Sequence, residues 1–477
     1  MFYGDEMTAT DRYSLPPLHA QLIQQTQSWA LRSGFDPELA RQLRHQAILA
    51  NHAHYQEHIP VYRRFAEEEG IGRETTVAAI TRQLMLPDEI FKSYNQAWLD
   101  DGDFTRMNAW LGEVFHQRVA VDVKDVSSID AWIDRLAQHG LRLVYSSGTS
   151  GNFSFIPRDR DSWSLFTTAS SCYIAPLLLQ RKAGAWWQRH LLRPAIRLLP
   201  PATFARLSRR IGVHDTDAFF LDFASGHTGN QTLEQELGGL FRQTFYLYQT
   251  TLSPTVLRLL ARGPKTEQDQ AALRQLHEIV VVRKVENYTR LVEQMRQSTR
   301  EGQKIFIFGT TQQYMELCEL ILAGKQPLVF RDGSMILYGG GWKSFTGERI
   351  SQAELLRRMA DSFSLPPERI LEGYSMTEIN AFMLRCDHGR FHIPPTIEPV
   401  IFDAQLEPLH GNDLRGIFGY LDALATAYPG FIISGDEVHF VDGDCPCGLV
   451  GPAVTEIGRA RAREVKGCGG IMASLKA

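Results

Sequence analysis

Apolar residues recur in two rhythms along this chain. In residues 17–69 the spacing is helical, with Leu39, Leu43, Ile48 and Leu49 recurring near one face. His54, Tyr55, Pro60, Tyr62 and Phe65 follow. The reading is a helical N-terminal region, residues 1–100, packing on a later sheet. Leu84-Met85-Leu86-Pro87 and Ile90-Phe91-Lys92 form a compact apolar cluster ending in a cation. Lys92 reads as a surface residue beside a core Phe, with a carboxylate substrate as its alternative partner. Further on, short, mostly apolar runs replace the helical rhythm, at residues 141–145, 218–223, 279–285, 304–309, 334–338 and 370–374. Each has strand length. The run at 304–309 leads into a helical stretch at about 312–323. Strand–turn–helix units at this spacing predict a largely parallel sheet with crossover helices.

Composition narrows the classes. The chain has 477 residues, 44% of them hydrophobic, which supports a sizeable core and two or three domains. A net charge of −4 gives no nucleic-acid footprint. No apolar run is long enough to span a membrane, and residues 1–10 carry Asp5 and Glu6 without an apolar centre, so a cytoplasmic location is the expectation. Residues 162–214 contain no Asp or Glu, while Arg181, Lys182, Arg189, Arg193, Arg197, Arg206, Arg209 and Arg210 alternate with Trp186, Trp187 and leucines. Such a segment is either a core helix with a solvated basic face or one that touches a membrane surface or a partner. The first is the simpler reading.

Candidate chemistry sits where strands end, the usual ligand edge of a parallel sheet. After Val144-Tyr145 come Ser146, Ser147, Gly148, Thr149, Ser150 and Gly151. A loop of hydroxyls and glycines can turn its N–H groups toward a polyphosphate. Residues 153–156 then read as a returning strand, and Arg158 can reach back toward phosphate. Gly339-Gly340-Gly341-Trp342-Lys343 offers close approach to a flat ligand beside a charge. Gly373-Tyr374-Ser375-Met376-Thr377-Glu378 offers a stacking ring, hydroxyls and a hard oxygen ligand of the kind Mg²⁺ takes beside phosphates.

This ordered set resembles the adenylate-forming (acyl- and aryl-AMP synthetase) superfamily. Its phosphate loop corresponds to Ser146–Gly151, its Gly-Tyr-x-x-Thr-Glu motif to Gly373–Glu378, its ribose motif to Ser434-Gly435-Asp436, and its hinge to Gly458-Arg459. Two branches look closest. The phenylacetate–CoA ligase branch is similar in Ile59-Pro60-Val61-Tyr62. The LuxE-type acyl-protein synthetase branch is similar in Ile90-Phe91-Lys92, in the 339–343 stretch, and in a tail containing Lys466-Gly467-Cys468-Gly469.

The resemblance implies an α/β fold: the large domain of an adenylate-forming enzyme, with mixed, largely parallel sheets flanked by helices. It assigns residues 101–457 to that core and 458–477 to a hinge remnant with a flexible, cysteine-bearing tail. It implies ATP phosphates at 146–151, adenine between Gly339–Gly341 and Tyr374, with Ser375 alongside, and the α-phosphate at Thr377. Glu378 would take Mg²⁺, Asp436 the ribose, and Arg459 the hinge. The implied activity is conversion of a carboxylic acid, a fatty acid by family expectation, to acyl-AMP. The acyl group would then pass to Cys468 and on to a partner protein such as an acyl reductase. Transfer to CoA or a carrier thiol is the alternative, and a non-catalytic nucleotide- or acyl-binding subunit is a third reading. The chain departs from the pattern in three places. No Lys follows the phosphate loop, Ile432-Ile433 replaces the Arg before the ribose motif, and the lid domain of larger members is expected to be absent. Lys343 or Lys466 would replace that domain's lysine.

The six cysteines do not suggest a disulfide scaffold. Cys386 and His392, followed by Cys445 and Cys447, have the ligand types and pairing of a closed tetrahedral Zn²⁺ site, with His388 as an alternative ligand. The similar arrangement in the phenylacetate–CoA ligase branch points the same way. Cys468 stands among glycines with Arg463 and Lys466 nearby, a setting that can lower a thiol pKa; by sequence alone a loose tail cysteine is the simpler reading, and the resemblance to LuxE-type proteins favours the reactive one.

Overall fold

The structure, a computed structural model, describes residues 15–147, 152–180, 196–211, 213–340 and 350–460. The calls on Gly148, Thr149, Ser150, Gly151, Gly341, Lys343 and Cys468 lie outside these residues.

Three sheets organise the fold. The first runs β5-β4-β6-β7-β8-β9, with β4 (Val213–Ser225), β5 (Phe241–Thr251), β6 (Lys304–Thr310), β7 (Met335–Gly339) and β8 (Ile370–Tyr374) parallel. Only β9 (Met383–Leu384) is antiparallel. The strands are apolar toward both sides because both faces are covered. Phe219, Leu221, Ile305 and Ile307 enter one core with Tyr288, Leu291 and Met295 of the helix Lys284–Arg300. The alternating Ala218, Phe220, Phe306 and Phe308 enter another, against Ile174, Leu177, Leu233 and Leu237. Two-residue periodicity thus sends neighbouring residues to opposite helical layers.

The second sheet is antiparallel: β10 (Phe391–His392), β14 (Ala453–Arg459), β13 (Phe431–Val441), β12 (Asp413–Asp422) and β11 (Ile397–Phe402). Periodicity pointed only to the parallel sheet. A short N-terminal strand, β1 (Leu86–Pro87), adds in parallel beside Ile432-Ile433 of β13. The third is the hairpin β2 (Arg142–Ser147) and β3 (Phe153–Arg158), whose tip falls at the hydroxyl-rich loop as expected.

The first hundred residues contribute to one core with the antiparallel sheet. Helix α1 is Pro17–Ala30, α2 is Pro37–His58 and α3 is Pro60–Glu68. Asp36 caps α2 by accepting from the N–H groups of Glu38 and Leu39, with Pro37 in the first turn. Tyr55 of α2 and Tyr62 of α3 pack on Phe431 with ring centroids 5.1 and 5.9 Å away. In the basic segment, Leu165, Ala169, Cys172 and Phe204 are buried with Ile23 and Leu424, so the described helices there turn apolar faces inward. Among the described residues no helix is long and apolar enough to cross a membrane.

One expected strand is absent. Residues 279–285 are helical: a π-helical turn, Glu278–Val282, leads into the helix Lys284–Arg300. The run could not join the sheet because it is not buried. Val281, Val282 and Val285 are 55–66% exposed, and only Ile279 and Val280 rest against the core.

Candidate functional site

The site lies at the seam between the parallel and antiparallel sheets. Tyr374 is the last residue of β8, and its hydroxyl donates to Asp436 Oδ2 on β13 at 2.8 Å. Arg459 faces Asp436 across the β13–β14 ladder, Nη1 to Oδ1 3.2 Å. Three distant motifs therefore meet on one carboxylate. Burial, then the charge of Asp436, pushes the Tyr374 hydroxyl well above its ordinary pKa and keeps it a donor.

Close backbone approach sets the geometry here. A Cβ on Gly339 would lie 2.8 Å from the Gly373 carbonyl, and one on Gly373 2.3 Å from the Phe382 ring. Gly340 adopts φ +84°, a region that favours glycine.

The hairpin reaches the same seam. The N–H of Tyr145 donates to the His227 carbonyl at 3.1 Å, and Tyr145 bridges to Thr228. The adjacent Gly229 leaves room for Thr377, whose Oγ1 would be 3.1 Å from a Cβ there. Tyr145 of β2 and Thr377 thus both border the 227–229 turn. Ser375 is differently engaged: its hydroxyl donates to the Ala381 carbonyl at 2.7 Å.

Glu378 is buried near Asp88, which follows β1 directly. Burial, then a hydrogen bond with Glu89 and the charges of Glu89 and Glu378, raises Asp88 to about 8. The local potential is negative, and Lys92 Nζ lies 3.8 Å from Glu89 Oε1. Sequence reasoning missed Asp88; its only signal was its place between Pro87 and the Ile90-Phe91-Lys92 cluster.

Arg158 departs from the expected role. It is buried at the end of β3 and does not point into an open phosphate site. Its Nη2 donates to the Thr377 carbonyl at 3.3 Å and its Nη1 to the side-chain oxygen of Asn380.

The cysteine–histidine group converges. Ligand atoms of Cys386, His392, Cys445 and Cys447 all lie within 4.8 Å of one another. Cys386 Sγ and Cys445 Sγ are 3.8 Å apart, and Cys447 Sγ is 3.3 Å from His392 Nε2. A tetrahedron with Zn–S bonds of about 2.3 Å has a sulfur–sulfur edge of about 3.8 Å, so three thiols and an imidazole fit Zn²⁺. The hydrogen bond with Cys447 drives the Cys386 thiol far below its ordinary range, and Cys447 rises in turn. Tight turns hold the ligands, with Cys386 N–H on the Arg390 carbonyl at 2.9 Å and Cys445 N–H on the Leu449 carbonyl at 3.0 Å. Trp29 of α1 packs edge-on to His392 and donates from Nε1 to the Val450 carbonyl at 2.9 Å. His388 is exposed and lies outside the group.

Residues 281–475 match the family model described as acyl-protein synthetase, LuxE. This agrees with the resemblance carried by the motifs. The chain is similar to the long-chain-fatty-acid–luciferin-component ligases of Aliivibrio fischeri, at 28% identity over 161 residues, and of Vibrio harveyi, at 28% over 182 residues. Those matches cover 33% and 36% of this chain and 42% and 46% of the relatives, so the chain spans less than half the length of the curated relatives it matches. Among solved structures, an open conformation of 2-hydroxyisobutyryl-CoA ligase with 2-HIB-AMP and CoA aligns at TM-score 0.48 and 14% identity, covering 88% of this chain and 70% of that one.

Proposed function

We propose that this LuxE-like protein is an ATP-dependent carboxylate-activating ligase. A carboxylate oxygen attacks the α-phosphorus of ATP, the bond from that phosphorus to the bridging oxygen breaks, and pyrophosphate leaves. The acyl carbon of the resulting acyl-AMP is then attacked by a thiolate, and AMP leaves. The acceptor is Cys468 by the family resemblance, with onward transfer to a partner protein such as an acyl reductase or carrier. The names of the curated relatives make a long-chain fatty acid the first substrate to test.

The observation that carries this reading is the meeting of Tyr374, Asp436 and Arg459 on one carboxylate. Asp436 would take the ribose hydroxyls, and Tyr374 and Gly339–Gly340 the adenine. Thr377 would contact the α-phosphate from the turn beside β2. Glu378 would hold Mg²⁺, which neutralises phosphate charge as it develops. The protein's share is positioning and a pre-set field rather than covalent chemistry in the first step.

The cysteine–histidine group would hold a structural Zn²⁺, whose four protein ligands leave no open position. None of the five described cysteines is in a disulfide, which suits a reducing, cytoplasmic setting.

The test is carboxylate-dependent exchange of pyrophosphate into ATP, with fatty, aryl and hydroxy acids. Exchange with one acid class supports the proposal. No exchange with any acid, together with retained nucleotide binding, refutes it in favour of a binding subunit.

A further inference from the structure

The turn that carries Thr377 and Glu378 is held from behind by a buried polar network outside the four family motifs. Arg158 is 3% exposed. Its guanidinium lies 5.0 Å from the Tyr428 ring centroid, 5.2 Å from Phe166 and 5.9 Å from Trp163. One arm of the fork donates to the Thr377 carbonyl and the other to Asn380. The Asn380 N–H and Nδ2 both donate to Asp422 Oδ2, at 2.6 and 2.9 Å, and Nδ2 also reaches the Tyr428 hydroxyl at 3.1 Å. That hydroxyl donates to the Glu378 carbonyl at 3.1 Å. The backbone is therefore gripped at 377, 378 and 380 in succession.

We propose that Arg158 is a positioning residue for adenylation: a caged cation that fixes the Thr377–Asn380 backbone so that Thr377 and Glu378 meet the nucleotide in one geometry. This rests on the ligase reading above.

Two physical points favour Arg158 over a merely stabilising role. A planar guanidinium can serve two acceptors in fixed directions while stacking against rings, which an ammonium cannot. Its charge also balances Asp422, which is fully buried and faces Arg158, Tyr428, Tyr55 and Tyr173. Burial raises Asp422 to about 6, against the pull of the Asn380 and Leu424 hydrogen bonds and of Arg158. Without Arg158 that carboxyl rises further, and its protonated form accepts more weakly from Asn380.

The experiment compares the full-length protein with Arg158→Gln and Arg158→Lys. It measures pyrophosphate exchange from pH 5 to 9 and amide hydrogen exchange of the 374–381 segment. For Arg158→Gln the expected result is a kcat lowered about 30-fold, with KM for ATP within about 3-fold. The acid limb of the rate profile should move to higher pH, and amide exchange in 374–381 should quicken at least 10-fold with β6 unchanged. Arg158→Lys restores the acid limb but not kcat, because it returns the charge and not the fork. If Arg158→Gln does not fold, Arg158→Lys alone carries the test through its kcat and its 374–381 exchange. Wild-type kcat in the substituted protein, or protection lost equally in β6, overturns the proposal. Inactive wild-type protein would sink the ligase reading instead, while the hydrogen-exchange arm still decides whether Arg158 holds the turn.

Discussion

Zinc removal gives the most direct quantitative test. The perturbation is Cys445→Ser, or a strong chelator on the wild-type protein. A bound zinc would tie the turn at 386–392 to the turn at 445–447, and Cys386 and Cys445 are 59 residues apart. Treated as a cross-link, a loop of that length restricts the unfolded chain by about 14 cal/mol/K, or about 4 kcal/mol at 25 °C. Unfolding entropy of about 2.1 cal/mol/K per residue amounts to about 1 kcal/mol/K for a chain this long, so the melting temperature should fall by about 4 °C. The assay pairs elemental analysis with thermal melts, with and without chelator. Wild-type protein should carry one zinc per chain, and Cys445→Ser should lose both the metal and the chelator response. Protein purified under reducing conditions without zinc, melting within 1 °C of its chelated form, would refute the reasoning.

Three further outcomes are expected. Tyr374→Phe removes a hydrogen bond to a charged partner, an interaction of about 1.5–3 kcal/mol, so KM for ATP should rise about 10- to 100-fold; a change below 2-fold excludes the role given to Asp436. Burial, then the charges of His116 and His58, lowers His54 to about 4, so between about pH 6.5 and 4 the unfolded chain binds more protons and stability falls as pH falls. Because His54 is only half-buried, the full 2.5-unit difference is discounted for solvent to about 1–2 kcal/mol, and His54→Gln should flatten that slope in denaturant titrations at pH 4.5 and 7; equal slopes sink the assignment. Burial, then the charge of Asp222, raises Glu234 well above its ordinary range, so folding costs progressively more as pH climbs past the unfolded carboxyl pKa. The melting-temperature advantage of Glu234→Gln over wild type should therefore widen from pH 5 to pH 8, and a constant difference would count against a neutral buried carboxyl.

The parallel sheet was legible because both of its faces are covered, so 218–223, 304–309 and 334–338 read as mostly apolar runs. The same cue misread 279–285, where burial stops after two residues. The antiparallel sheet was hidden by its mixed pattern: β13 alternates buried and half-buried residues, and Ser434-Gly435-Asp436 lies inside the strand. The convergence of Cys386, His392, Cys445 and Cys447 was legible from residue type and pairing. Asp88 and the Arg158–Asn380–Asp422 network were not, because each becomes meaningful only through partners dozens to hundreds of positions away.

The pairing of Leu86-Pro87 with Ile432-Ile433 has a consequence for biosynthesis. The partner strand leaves the ribosome some 346 residues later, an interval of about 20–70 s at ordinary elongation rates. Throughout that time the faces of Tyr55 and Tyr62 destined to lie against Phe431 lack that partner. Nascent chains stalled before residue 431 should therefore bind holdase chaperones through this early region, and release should coincide with emergence of β13.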